Sequence, residues 1–158
     1  MAEATKDVHD AVVHLLAMQD AAWAAGDAVA FGESALPDVV FTNVVGLFSV
    51  GIERFIAQHA HIFSTIYKGS RLEQRLVKIT MATADVAIVD SLTTVRGFHR
   101  LPPGSTATNG AFHTRLEQVL VCRAGEWRVQ SFHNTPLNPA AASVAAPDAG
   151  CTHYLGTD

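Results

Sequence analysis

The stretch LEQVLVCRAGEWRVQSFHNT, residues 116–135, decides how this chain is organised. Two β-rich runs flank the Ala124 and Gly125 pair, which has the length and residue types of a two-residue hairpin turn. Continuing the register away from this turn gives three facing pairs: Leu120 with Val129, Gln118 with Ser131, and Leu116 with His133. The face that carries Trp127 is predicted to pack against helices. His133 then points inward and Asn134 outward, whereas a slip of one residue would reverse every face and turn Asn134 inward.

The remaining pattern predicts helices first and hairpins afterwards. An apolar stripe predicts a helix over residues 7–25, with a short second helix running through Phe31. A β-rich run at residues 39–43 and an amphipathic helix after Gly51 follow. Four further strands are predicted at residues 71–82, 85–98, 111–123 and 126–134. This order favours an α+β fold, in which a cone-shaped, curved antiparallel or mixed sheet wraps around the N-terminal helices and leaves an internal pocket.

Polar side chains occupy several positions that the periodicity assigns to buried faces. We interpret six of them as the lining of one cavity, because a buried polar group needs a partner: Gln19, Asn43, His59, Gln118, Ser131 and His133. The alternative is that each is a core residue whose hydrogen bonds are satisfied locally. Trp23 has the same two interpretations, flanking a ligand or anchoring the first helix.

Composition narrows the classes of function. The net charge is −4 and no basic run occurs, which argues against nucleic-acid binding. No apolar stretch is long enough to span a membrane and the N-terminus has no signal-peptide pattern, so a cytoplasmic location is expected. The histidines show no ligand spacing, and neither a nucleotide-binding motif nor a phosphate loop is present. We therefore predict no metal and no cofactor. Abundant alanine and arginine are typical of a bacterial source.

Four segments in a fixed order, AWAAGD, PDVVFTN, GIERFIAQHAHIF and GEWRVQSFHNT, resemble the nuclear transport factor 2-like superfamily, which includes ketosteroid isomerases, limonene epoxide hydrolases and SnoaL-type polyketide cyclases. The spacing of Gly51, His59 and Ile62 is similar to the SgcJ/EcaC subgroup, as is that of Trp127 and Asn134. The resemblance covers about residues 7–136. It implies a homodimer, formed through an outer sheet face that carries Val119, Val121 and Phe132.

The resemblance also implies which positions face the pocket. The carboxylate base of the isomerases corresponds to Asn43, their oxyanion tyrosine to Gln19 and their oxyanion acid to Gln118. An amide cannot abstract a proton at neutral pH, so that mechanism is not expected here. His59 and His133 remain as acid–base candidates, and Asp90 would orient a histidine if it faced inward or be solvated if it faced outward.

These features predict a small-molecule enzyme of natural-product, polyketide-like metabolism. The expected reaction is a cofactor-free, histidine-assisted cyclisation, isomerisation or dehydration of a hydrophobic compound. Six residues are predicted to contact the substrate: Gln19, Trp23, Asn43, Gln118, Ser131 and Asn134. The alternative is a non-catalytic protein that binds a small molecule or assists a biosynthetic pathway. Residues 1–136 are predicted to form one domain, followed by a Pro/Ala-rich tail at residues 137–158.

Overall fold

The computed structural model of the protein describes residues 4–138. Helix α1 (Lys6–Ala25) buries one stripe that contains Val12, Leu16 and Trp23, and it ends where Gly26 adopts a left-handed conformation with φ of 66°. Helix α2 (Ala28–Gly32) begins after Asp27, whose side chain accepts a hydrogen bond from the Ala30 N–H. Helix α3 (Ile52–Ser64) turns Phe55, His59 and Phe63 toward the core.

The strands form one six-stranded mixed sheet that is not closed. They are β1 (Ala35–Thr42), β2 (Phe48–Val50), β3 (Arg71–Thr83), β4 (Val86–Arg96), β5 (Ala111–Arg123) and β6 (Glu126–Pro136). The order across the sheet is β2-β1-β6-β5-β4-β3, in which β1 and β6 are parallel and the other neighbours antiparallel. The predicted α+β architecture with N-terminal helices is therefore confirmed.

Strand β2 was not predicted, and Asn43 explains how it forms. The Oδ1 atom of Asn43 accepts hydrogen bonds from the backbone N–H groups of Val45 and Leu47, at 3.1 and 2.9 Å. This side-chain-to-backbone turn reverses the chain after β1, with Gly46 at a φ of 79°. The short strand that follows pairs with β1 and forms one edge of the sheet.

The hairpin between β5 and β6 follows the predicted register only near its turn. Ala124 and Gly125 both have positive φ, and Leu120 pairs with Val129 as expected. The next pair is Val119 with Ser131, so Gln130 is an extra residue on β6 and forms a β-bulge. Beyond this bulge the predicted facing is wrong by one residue.

The bulge exchanges the two faces of the end of β6. Asn134 pairs with Leu116 and faces inward, whereas His133 pairs with Glu117 and is exposed on the outer face. Ser131 lies on that outer face too. Phe132 is buried against Phe41 and Phe55, so its predicted place on an outer dimerisation face is wrong. The homodimer stays a prediction, with Val119 and Val121 half-buried on the outer face. The predicted tail lies, from residue 139 on, outside the described residues.

Candidate functional site

A cavity of about 680 Å³ lies between the helices and the inner face of the sheet. Its volume is in the range of small-molecule sites. Aromatic side chains from α1, α2 and the sheet dominate the lining: Trp23, Phe31, Phe41, Phe112 and Phe132. Polar groups are interspersed among them, and they come from several elements: Asn43, Gln58, His59, His61, Tyr67, Thr93, Arg100, Thr114 and Asn134. An apolar ligand with a few polar groups suits this lining.

His59 is the buried histidine of the cavity lining. Its Nδ1 lies 2.8 Å from the carbonyl oxygen of Phe55, one helical turn earlier, so Nδ1 carries the proton and donates it. The imidazole contacts the rings of Phe55 and Phe31, with centroid separations of 4.3 and 4.6 Å. Burial lowers the pKa of His59 to about 4, against a minor opposing effect of the hydrogen bond to Phe55. At neutral pH the ring is uncharged, and Nε2 is an acceptor for a ligand.

Asn43 and Asn134 supply amide groups at the ends of the neighbouring strands β1 and β6, and both line the cavity. The Oδ1 of Asn43 is used by its turn, which leaves the Nδ2 group to donate to a ligand. The Oδ1 of Asn134 is buried and has no hydrogen-bond partner among the described residues. An unsatisfied buried amide beside a cavity is a polar group that a ligand can satisfy.

Trp23 and Tyr67 form the part of the lining next to α1. The indole Nε1 of Trp23 donates to Ser70 Oγ at 2.9 Å, and this hydroxyl donates to the carbonyl oxygen of Tyr67. Trp23 therefore presents only its apolar ring to the cavity, where it contacts Tyr67 at a centroid separation of 5.2 Å. Burial raises the pKa of the Tyr67 phenol, so its hydroxyl stays protonated.

Gln19 and Gln118 are buried as predicted, but they do not line the cavity. Gln19 Nε2 donates to Gln118 Oε1 at 2.8 Å and to Ser34 Oγ at 3.1 Å. Gln74 Nε2 donates to Gln19 Oε1 at 2.9 Å, and Gln118 Nε2 donates to both Gln19 and Gln74. The amides satisfy one another in a network that joins α1 to β3 and β5. The structure therefore places both amides outside the lining of this cavity.

Three other predicted site residues also lie away from the cavity. His133 and Ser131 are on the outer face, because the bulge at Gln130 shifts the register. Asp90 pairs with Lys78 on one side and Glu117 on the other, on the same outer face, and does not line the cavity. Of the residues predicted to act in catalysis, the structure places only His59 in the cavity.

The sequence pattern missed several lining residues. Thr93 and Thr114 face inward from β4 and β5, where their hydroxyl groups hydrogen-bond to each other. Their inward facing follows from strand alternation, but the loop at residues 99–110 hides the register that joins the two strands. Tyr67 and Arg100 lie outside regular elements, so no periodicity marks them. Within residues 4–138, no three His, Cys, Asp or Glu side chains come together to hold a metal ion, and no helix is long and apolar enough to cross a membrane.

No protein-family model matches the sequence, and no curated protein is similar enough in sequence to match it. Solved structures do match. An uncharacterised protein with a cystatin-like fold from Caulobacter vibrioides is 26% identical, with a TM-score of 0.73 over 89% of this chain and 95% of that one. An NTF-2-like protein of unknown function from Shewanella oneidensis MR-1 is 16% identical, with a TM-score of 0.65 over 80% of this chain and 98% of that one.

A ketosteroid isomerase-like protein from Erwinia carotovora atroseptica also matches, at 16% identity and a TM-score of 0.65 over 85% of this chain and the whole of that one. Identities at this level establish the fold and not the activity. The resemblance to the nuclear transport factor 2-like fold is thus confirmed, while membership of the SgcJ/EcaC subgroup stays a prediction.

Proposed function

We propose that this protein is a small-molecule enzyme that moves a proton within a hydrophobic carbonyl compound. The proposal rests on the nuclear transport factor 2-like fold and on an apolar cavity beside a neutral histidine. His59 is the proton acceptor, and no cofactor takes part. The observation that carries the proposal is the orientation of His59, whose Nδ1–H is committed to Phe55 while the ring lies in the cavity lining. A role in natural-product metabolism is part of the same proposal.

The low pKa of His59 limits the protons that it can remove. A weak base works on an acidic C–H bond, such as one next to a carbonyl group. The C–H bond breaks, its proton goes to Nε2, and the electron pair moves onto the carbonyl oxygen. Return of the proton to another carbon gives isomerisation, loss of a β-hydroxyl group gives dehydration, and attack on a second carbonyl gives cyclisation.

Hydrogen-bond donors in the cavity support the negative charge that this step creates on oxygen. Asn43 Nδ2 and the Tyr67 hydroxyl both belong to the lining, and the Tyr67 hydroxyl stays protonated because burial raises its pKa. Donors held in place in an apolar site stabilise a developing oxyanion more strongly than water does. The oxyanion groups of the ketosteroid isomerases correspond to Gln19 and Gln118, which do not line this cavity, so Asn43 and Tyr67 take that role in the proposal.

5-Nitrobenzisoxazole tests the base directly. A base removes the proton from the ring carbon, the N–O bond breaks, and the ring opens to a single coloured product that carries both a nitrile and a phenolate. We expect wild-type protein to accelerate this elimination and His59→Ala to lower kcat/KM by about a hundredfold. His133→Ala is the matched control and should leave the rate unchanged. The rate should rise with pH through about 4 and then level off, because His59 acts in its neutral form.

A binding protein without catalysis is the second candidate. It is favoured by the low basicity of His59 and by the lack of a carboxylate among the described residues that line the cavity. If the wild type binds 2-naphthamide but shows no elimination above the rate in buffer, the binding function stands and the enzyme proposal fails. If His59→Ala retains full activity, another group is the base.

A further inference from the structure

Arg100 lies in the cavity lining at a position that its neighbours hold in place. Phe98 and Leu101 pack against the hydrophobic core on either side of it. The backbone N–H of His99 donates to the carbonyl oxygen of Ile66 at 2.8 Å, which ties the segment to the end of α3. Pro102, two residues further on, is buried. The backbone that carries Arg100 is therefore anchored, although its side chain is exposed.

The charges around the cavity are strongly biased. Among the lining residues within 4–138, Arg100 is the only one with a permanent charge, and neither Asp nor Glu is present. The chain as a whole has an excess of acidic residues and a net charge of −4. Arg100 forms no hydrogen bond or ion pair with any residue in the described part of the chain. His61, in the last turn of α3, belongs to the same lining and adds an imidazole group to it.

We infer that the ligand is an amphipathic acid, with an apolar ring system in the aromatic part of the cavity and a carboxylate at Arg100. This inference rests on the proposed function, since it assumes that the cavity binds a small molecule. A guanidinium group offers paired donors that match a carboxylate. The acid meets no negative charge from the part of the lining that the structure describes, and His59 stays neutral beside its ring. Arg100 is thus a specificity-determining residue for the anionic end of the ligand.

The experiment compares 2-naphthoate with 2-naphthamide, which share a ring system and differ in charge. Titration calorimetry at low salt should show the wild type binding 2-naphthoate about five- to tenfold more tightly, the size expected of an ion pair near solvent. Arg100→Gln should abolish this preference without changing the affinity for 2-naphthamide, and Arg100→Lys should retain part of it. Arg123→Gln removes the same charge at the turn between β5 and β6, and the preference should persist.

Each outcome decides the inference. If Arg100→Gln binds 2-naphthoate as tightly as the wild type, or if the wild type shows no preference, the inference is overturned while binding of 2-naphthamide still supports the proposed function. If the wild type binds neither compound, both fall. If Arg123→Gln loses the preference as fully as Arg100→Gln does, net charge rather than Arg100 sets it, which also overturns the assignment.

Discussion

The network of Gln19, Gln74 and Gln118 predicts a specific pattern of stability losses. Gln118 is fully buried, and its Oε1 accepts a hydrogen bond from Gln19 Nε2, which is its only donor among the described residues. Gln19→Leu removes that donor and leaves a buried oxygen unsatisfied. We expect this change to lower the free energy of unfolding by about 2–3 kcal/mol.

Gln118→Leu should cost less, about 1–2 kcal/mol. Gln19 keeps two partners in this variant, because its Oε1 still accepts from Gln74 and its Nε2 still donates to Ser34. Gln74 Oε1 is the one group of the network that is left without a donor, and Gln74 is half-buried, so water can replace the bond. The two variants therefore differ although each replaces one buried amide with leucine.

The double variant Gln19→Leu/Gln118→Leu should lower the free energy of unfolding by about 2 kcal/mol, less than the sum of the single changes. Both amides of the Gln19–Gln118 pair are absent, so neither remains buried without its partner. Urea unfolding followed by circular dichroism gives all three values. Gln58→Leu is the matched control: Gln58 Oε1 is buried without a partner among the described residues, so no hydrogen bond is lost and stability should not fall. Additive losses, or a weaker affinity of the single variants for 2-naphthamide, would refute the structural role of this network.

Four further predictions concern titration, packing and the cavity. The stabilisation from neutral His59 is complete above its unfolded pKa of 6.5 and is lost as pH falls through its folded pKa of about 4, so urea unfolding of His59→Phe should depend less on pH in that window. Burial raises the pKa of Asp20 from 3.8 to about 6, so the protonated carboxyl stabilises the folded state below pH 3.8 and this stabilisation is lost as pH rises through 6. The stability of Asp20→Asn relative to the wild type should therefore be higher at pH 7 than at pH 4, and equal differences at the two pH values would contradict this. Gly32→Ala places a Cβ 2.8 Å from Ile56 Cγ1 and should lower Tm by about 3–8 °C, with a loss less than additive when Ile56→Ala is combined with it. Asn43→Asp keeps the oxygen that the turn needs and adds a carboxylate to the cavity, so 5-nitrobenzisoxazole elimination should increase at unchanged Tm; an unchanged rate would show that this carboxylate cannot reach the ligand.

The helices and their buried faces could be predicted from sequence because a helical period spans many residues. Gln19 and His59 both lie on buried faces as expected. The end of β6 could not be predicted, because β1 helps to set its register. Gln130 Nε2 donates to the carbonyl oxygen of Asp38 in β1, and the β1–β6 pairing is irregular across Pro37, which has no N–H to donate. A hairpin pattern carries no information on that third strand.

The site could be predicted only in part from the sequence, for a related reason. Periodicity indicates that a side chain is buried, but not whether its partner is a ligand or another side chain. His59 lines the cavity, whereas Gln19 and Gln118 bond to each other. Arg100 and Tyr67 come from segments without a repeating pattern, where only the packed structure decides direction.

The extra residue at Gln130 has a consequence for how this pocket can change during evolution. If Gln130 joined the ladder opposite Val119, His133 would pair with Leu116 and turn inward in place of Asn134, with no change in chain length. Loss of the bulge would thereby replace an amide with an imidazole in the lining. New chemistry in such a cone is then reachable by sliding a strand, without any substitution of the residues that perform it.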